Sequence, residues 1–341
     1  MDPMNRRRFT FLGLASVATA LAPASFAKID DQTGWQIAEL TDDGLRLAHG
    51  GMASAGTPVD DQTLFQVASC SKTVAALAVF TLIRDGHVEL DRPVNDYLQR
   101  WRLPGPGGDG ATISELLSHT AGTNIHGFQG YRAGEDIPGL IDILNGRPPA
   151  NSPPIRTERR LFKRYDYSGG GTTVLQCLIE DVAGESFAQY ASANIFGPIG
   201  ATAATFELKP RSAYALGVLE NGQPVAGDFV RHPESAAAGL WATAADLVKI
   251  MQSILVSLNG DDAALLPPDL ARQMITPVTR GVAHGVFVDA EGVISHDGRN
   301  EGFEAAMAAD PVSGRVRAGV TNRNGQMQRV LDADHAIHGP E

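Results

Sequence analysis

The sequence predicts a mixed α/β fold of the α+β type: an antiparallel sheet built from both chain ends, flanked by helices, with a mainly helical subdomain inserted between its halves. Three observations predict it. Short runs broken by Asp and Gly turns occupy positions of about 34–68 and again about 281–325, the pattern of antiparallel hairpins. The stretch between, from about 87 to 235, carries helical periodicity. The middle of the helix expected over 73–85, Val74 to Ile83, is apolar almost all the way round, so it belongs inside a domain. Strands at both ends with helices between imply one sheet closed by the two halves of the chain, and a cleft beside the inserted helices.

Residues 1–27 stand apart from that fold. Arg6-Arg7-Arg8-Phe9 precedes a weakly polar to apolar run to Ala22, too short to span a membrane comfortably. Small residues then fall at the positions a signal peptidase reads in Pro23-Ala24-Ser25-Phe26-Ala27. With its paired arginines this reads best as a twin-arginine export signal, with cleavage expected after Ala27 and a periplasmic or secreted destination, an uncleaved anchor or a disordered basic tail being the alternatives. Residues 28–341 are then expected to form a single catalytic domain. Losing three arginines and one aspartate takes the net charge from −11 to −13. No basic patch survives to bind nucleic acid. Two cysteines, Cys70 and Cys177, are too few for a disulfide scaffold, and each lies among apolar neighbours where a buried free thiol is the default.

In chain order, Gly34 to Leu40 and Leu45 to Ala53 flank Thr41-Asp42-Asp43-Gly44, a hairpin signal. Leu64 to Ala68 is strand-like and leads into the apolar helix, which stops at Asp85-Gly86. Gly105-Pro106-Gly107-Gly108-Asp109-Gly110 matches G-x-G-x-x-G, but no β-branched strand precedes it, so it reads as a turn and no cofactor is expected. A short helix over Ile113 to His119 precedes a long proline-bearing loop to Tyr165, of the length that borders a site. Tyr167-Ser168-Gly169-Gly170-Gly171 turns into a second helix, with an apolar stripe from Val174 to Ala183 and Gly184 ending it. Phe187 to Ile195 and Thr243 to Leu255 continue the helical pattern, Asp246 serving the start of the latter. Strands follow over Gly285–Asp289, Gly292–His296, Glu304–Ala309 and Arg315–Thr321, with a closing helix over Gln326–Ile337. No helix is apparent between Lys28 and Gly34, so one sheet face is expected to rely mainly on that closing helix.

The chemistry begins with Ser69 and Lys72, three apart at the start of the apolar helix. An amine in low dielectric there can lose its proton and act as base to the hydroxyl, and the helix N-terminal amides can hold an oxyanion. Spacing alone is weak support, since Ser25-Phe26-Ala27-Lys28 matches equally across the expected cleavage point. No metal is expected, because the nine histidines show no H-E-x-x-H or similar spacing. His335 and His338 read as a solvated helix face, and Trp241 as a core or cleft-wall aromatic.

Three motifs in order carry a family likeness. Ser69-x-x-Lys72, Tyr167-Ser168-Gly169 and His296-Asp297-Gly298 resemble those of the serine β-lactamase and penicillin-binding-protein superfamily. Within it, the chain is most similar to the class C β-lactamase, D-alanyl-D-alanine carboxypeptidase and family VIII esterase branch. Ile113 to Gly122, Gly197-Pro198-Ile199-Gly200 and Ala237 to Thr243 resemble that branch too. The resemblance implies an acyl-enzyme on Ser69, proton work shared by Lys72 and Tyr167, and a third-motif contribution from His296 and Gly298. It further implies an oxyanion hole of the Ser69 and Arg299 backbone N–H groups. Tyr167 needs a lowered pKa to act as base, and Lys72 and His296 are the expected sources of positive charge. Gly169 stands where β-lactamases and D,D-peptidases carry Asn, and His-x-Gly replaces Lys-Thr-Gly. Both departures favour a carboxylesterase or a D-peptide or amide hydrolase, acting on a small-molecule ester, neutral amide or peptide, over a β-lactamase. A β-lactamase and a penicillin-binding-like sensor without turnover stand as alternatives. His126, Tyr131, Glu234 of His232-Pro233-Glu234, and Asp297 are expected to line the cleft with Gly169.

Overall fold

The computed structural model describes residues 32–158 and 164–332. Residues 1–31 with the expected export signal, positions 159–163, and residues 333–341 with His335 and His338 lie outside the described residues.

The chain opens with the expected hairpin, β1 (Trp35–Thr41) and β2 (Gly44–Gly50), then a small hairpin of β3 (Met52–Ser54) and β4 (Thr57–Pro58). Strand β5 (Phe65–Ala68) leads through a two-residue turn into α1 (Ser71–Arg84), which gives way to Gly86 at φ +75°. Next come α2 (Ile113–Leu117), started by a capping box of Thr112 and Glu115, and α3 (Leu140–Asn145), a helix inside the expected loop. Helix α4 (Gly169–Ala183) is capped by the Ser168 hydroxyl, which accepts from the Gly171 N–H, and ends at the left-handed Gly184. Helix α5 (Phe187–Ala191) runs through a π-helical turn, Ser192–Phe196, into α6 (Gly197–Ile199). The short α7 (Ser235–Ala238), β6 (Leu240–Ala242), α8 (Ala244–Asn259) and α9 (Pro268–Ile275) follow. The last elements are β7 (Phe287–Val288), β8 (Ile294–Asn300), β9 (Phe303–Ala309), β10 (Val316–Thr321) and α10 (Met327–Leu331).

The main sheet has six strands in the order β2-β1-β10-β9-β8-β7, each pair antiparallel. Its centre is the pairing of β1 with β10, from Trp35 opposite Thr321 to Leu40 opposite Val316. Strands from the two halves of the chain therefore close one sheet, as their patterning predicts. One expectation fails in detail: the Leu64–Ala68 run does not join this sheet. It pairs instead with β6, Phe65 opposite Ala242, and Gln66 secures it there by donating to the Val230 carbonyl.

The two sheet faces are covered unequally. Ala38, Ala318, Val320 and Met307 belong to the large core shared with α1, α4 and α8. Ile37, one residue out of phase, faces α10, where it meets Val330 with Trp35 and Met327 beside it. Gly319 lets α10 approach, since a Cβ there would stand 3.2 Å from Leu331. Helix α8 owes its start to the Thr243 and Asp246 capping box, as the placement of Asp246 predicts. Trp241 is a core aromatic, edge-on to Tyr214, Phe229 and Phe303. Cys70 and Cys177 are both buried and free. Among the described residues, no helix is long and apolar enough to cross a membrane.

Candidate active site

Ser69 is not in the helix but in the turn that precedes it. Ala68 takes φ +48°, a conformation that costs a residue with a Cβ about 1–2 kcal/mol. The turn is held by the Cys70 N–H to the Val67 carbonyl and by the Lys72 N–H to the Ser69 carbonyl. Ser71 anchors it to β6, its hydroxyl accepting from the Leu240 N–H at 3.0 Å. The first turn of α1 then carries Lys72 back under Ser69, so the i, i+3 relation survives although only one partner is helical.

Lys72 Nζ lies 3.1 Å from Ser69 Oγ and donates to the Ala237 carbonyl at 2.6 Å. Its other neighbour is the Tyr167 ring, 5.0 Å away at the centroid. Burial pulls the Lys72 pKa down to about 7, against smaller upward pulls from Cys70 and Asp297. A substantial share of the amine is therefore neutral near neutral pH.

Tyr167 departs from expectation. Burial raises its pKa above the ordinary tyrosine range, and Asp297 adds to the rise; the hydrogen bond with Ser69 works the other way. His296 supplies no charge, because burial drags its pKa to about 4 against the pull of Asp297. The tyrosine is a neutral phenol in the resting protein, and the anticipated lowering by Lys72 and His296 does not occur. Of the two, Lys72 is the group able to accept a proton near neutral pH.

His296 lies inside β8 rather than at a strand end, with its Nδ1 2.7 Å from the Asp297 carbonyl. Asp297 points outward and is exposed, acting on the site through its charge. Gly298 is where β8 crosses the nucleophile: a Cβ there would stand 2.2 Å from the Val67 carbonyl and 2.9 Å from the Ser69 nitrogen. Only glycine permits that approach of β8 to the turn that carries Ser69.

The weaker candidates divide. His126 sits at the rim, its ring 5.1 Å from that of Tyr167 and its Nδ1 3.0 Å from the Tyr167 carbonyl. Gly169 does not open into a cleft; it donates to the His126 carbonyl, and a Cβ would meet the Phe128 ring at 3.2 Å. Tyr131 is a structural residue, its hydroxyl accepting from the Asn151 N–H and its backbone bridged to Arg231. Glu234 is fully buried at the start of α7 rather than cleft-lining. Its carboxyl oxygens have no hydrogen-bond partner among the described residues, and burial lifts its pKa to about 7. Two residues before it, His232 reaches the wall of a cavity of about 520 Å³ that also touches Phe128, Arg132, Arg299, Asn300 and Glu301.

His119 is the residue that the pattern of apolar and polar positions leaves unmarked. Its ring lies 4.4 Å from that of Tyr167, and its Nδ1 accepts from the Ser168 N–H at 3.2 Å. Burial keeps it neutral. The available signal is a polar Ser118-His119-Thr120 run directly after an apolar helix. Among the described residues there is no group of three or more His, Cys, Asp or Glu side chains able to hold a metal.

A serine above a lysine whose pKa falls to about 7, framed by a helical layer and an antiparallel sheet, is the arrangement found in Ser–Lys serine hydrolases. The chain belongs to the Beta-lactamase family, whose model matches residues 26–339. It is 27% identical over 247 residues to a putative penicillin-binding protein, PbpX, of Bacillus subtilis, covering 71% of this chain and 57% of that one. It is 24% identical over 306 residues to the esterase EstB of Burkholderia gladioli, covering 80% and 73%. The solved D-amino acid amidase of Ochrobactrum anthropi, at 19% identity, superposes with a TM-score of 0.72 over 90% of this chain and 95% of that one, a likeness of fold.

Proposed function

We propose that this protein is an exported hydrolase that cleaves esters or neutral amides through an acyl-enzyme on Ser69. The observation that carries the proposal is the 3.1 Å contact of Ser69 Oγ with a lysine whose pKa falls to about 7. Neutral Lys72 takes the Ser69 proton as Oγ attacks the substrate carbonyl. The Ser69 and Arg299 N–H groups hold the oxyanion, in the closely packed corner that Gly298 makes possible. Tyr167, a neutral phenol hydrogen-bonded to Ser69, gives its proton to the leaving group and regains one from protonated Lys72. Water then repeats the sequence against the acyl-enzyme, with Lys72 again the base.

Export rests on the arginine-led N-terminal segment, and the bond type on Gly169 and His296, which offer neither an amide side chain nor a permanent cation. A serine-directed fluorophosphonate is the first test. Labelling of the wild type that vanishes in Ser69→Ala supports the reading, and a folded wild type that resists the probe would sink it. A short-chain aryl ester is expected to be hydrolysed readily and a chromogenic cephalosporin poorly. A cephalosporin kcat/KM above that of the ester would favour the β-lactamase alternative.

A further inference from the structure

We propose that the cavity beside Arg299 is the acyl subsite and takes a short acyl chain ending in a neutral hydrogen-bonding group, a carboxamide or hydroxyl. This rests on the hydrolase reading for the position of the scissile bond, and on the cavity for the rest.

Its location follows from two contacts. At one end are Arg299 and Asn300, the residues of β8 that continue past the corner where Gly298 meets the Ser69 nitrogen. At the other is Phe128, whose ring lies against Gly169 of the second motif. A substrate aligned on β8 therefore extends either over exposed Asp297 or into this partly open cavity. The leaving group must escape, whereas the acyl part stays through both half-reactions and is the part the cavity walls can hold.

The wall chemistry selects the occupant. Arg132 Nη2 donates to both carboxylate oxygens of Glu301, at 2.9 and 2.7 Å, so the pair cancels its own charge while offering further donors and acceptors. Glu135 is tied to the backbone of Arg132, and the Arg299 guanidinium faces Glu304 at 3.6 Å and Glu220 at 3.8 Å. Asn300 commits its amide nitrogen to Gln66 and Ala238. His232, on the same wall, is neutral through burial and the nearby Lys72, and neither ring nitrogen has a partner among the described residues. An alkyl chain would dry these groups without replacing their hydrogen bonds, which is the costly case. A carboxylate would meet a wall whose two arginines already face four carboxylates, so it would add to a negative excess. A carboxamide or hydroxyl can both donate and accept here.

The test uses three methyl esters of closely similar length: succinamate, pentanoate and hydrogen succinate, with methanol release followed for each. The wild type is expected to favour the succinamate by about tenfold or more in kcat/KM, the discrimination a hydrogen-bonding site exerts on an analogue lacking the group. The double variant Arg132→Met with Glu301→Met should bring the succinamate-to-pentanoate ratio down by a similar factor. A wild-type preference for pentanoate or hydrogen succinate, or a ratio unmoved in the variant, overturns the proposal. Failure of the hydrolase reading shows separately, as a folded wild type that the fluorophosphonate does not label. In that event the cavity's ligand preference is judged by calorimetry on the Ser69→Ala protein, where N-methylsuccinamide must bind more tightly than N-methylpentanamide for that preference to stand.

Discussion

At the scale of single residues, the site works by removing water from ionisable groups. The pKa of Lys72 falls because burial costs its charged form more than Cys70 and Asp297 return, and on the proposed mechanism this makes it the base. Ester kcat/KM should therefore rise with pH through about 7, as Lys72 loses its proton, and a profile flat from acid to alkaline pH would contradict the assignment. Lys72→Ala should slow acylation by about 10²-fold or more, the range of lost acid–base catalysis, as measured by the rate of fluorophosphonate labelling. Glu234 gives a stability effect of opposite chemistry. Its folded pKa is raised from 4.5 to about 7, so its contribution is present below 4.5 and disappears as pH rises through 7. The melting temperature of the wild type, compared with Glu234→Gln at each pH, should fall across that window; a constant difference would show that the carboxyl is not perturbed. The sequence points to the His232-Pro233-Glu234 stretch but to the wrong member. Which side chain faces a cavity is decided by how α7 seats against α4 and α1, and that packing is nonlocal.

At the scale of elements, the fold positions the nucleophile by bringing β8 against the turn between β5 and α1. Gly298→Ala would drive a Cβ to 2.2 Å from the Val67 carbonyl. It should cost about 1–3 kcal/mol, the usual range for overpacking, and lower activity more than stability explains. Denaturant midpoints and ester kcat/KM measured side by side will tell; a variant with wild-type values on both would mean the strands can part freely. The hairpins, α1, α4 and the α8 cap are legible because each is a local statement of periodicity and punctuation. The β5–β6 pairing is not. It joins residues far apart in the chain through two short strands, and no turn connects them to set its register. Ser69's place outside the helix is likewise hidden, because a positive φ at Ala68 has no glycine to announce it.

At the scale of the whole molecule, the main sheet depends on β10, which pairs with β1 on one side and β9 on the other. Deleting the chain from Val316 onward should leave the β1–β2 hairpin with no partner and abolish cooperative thermal unfolding, as followed by circular dichroism. A truncated protein that still melts sharply near the wild-type temperature would show that the two halves are stable apart. The general architecture is readable because the strand-rich ends and helical middle are compositional facts. The cavity is not, since it forms where loop residues such as Phe128 and Arg132 come to rest against the β8–β9 turn. That strand order also sets a timetable for synthesis. Ser69 and Lys72 leave the ribosome early, while His296, Gly298 and Arg299 follow only after the helical middle has been made. A nascent chain therefore carries Ser69 without the strand that frames it. On the acyl-enzyme proposal, Ser69 gains its second oxyanion donor only once translation has supplied β8, so the unfinished chain is expected to be a poor acceptor of an acyl group.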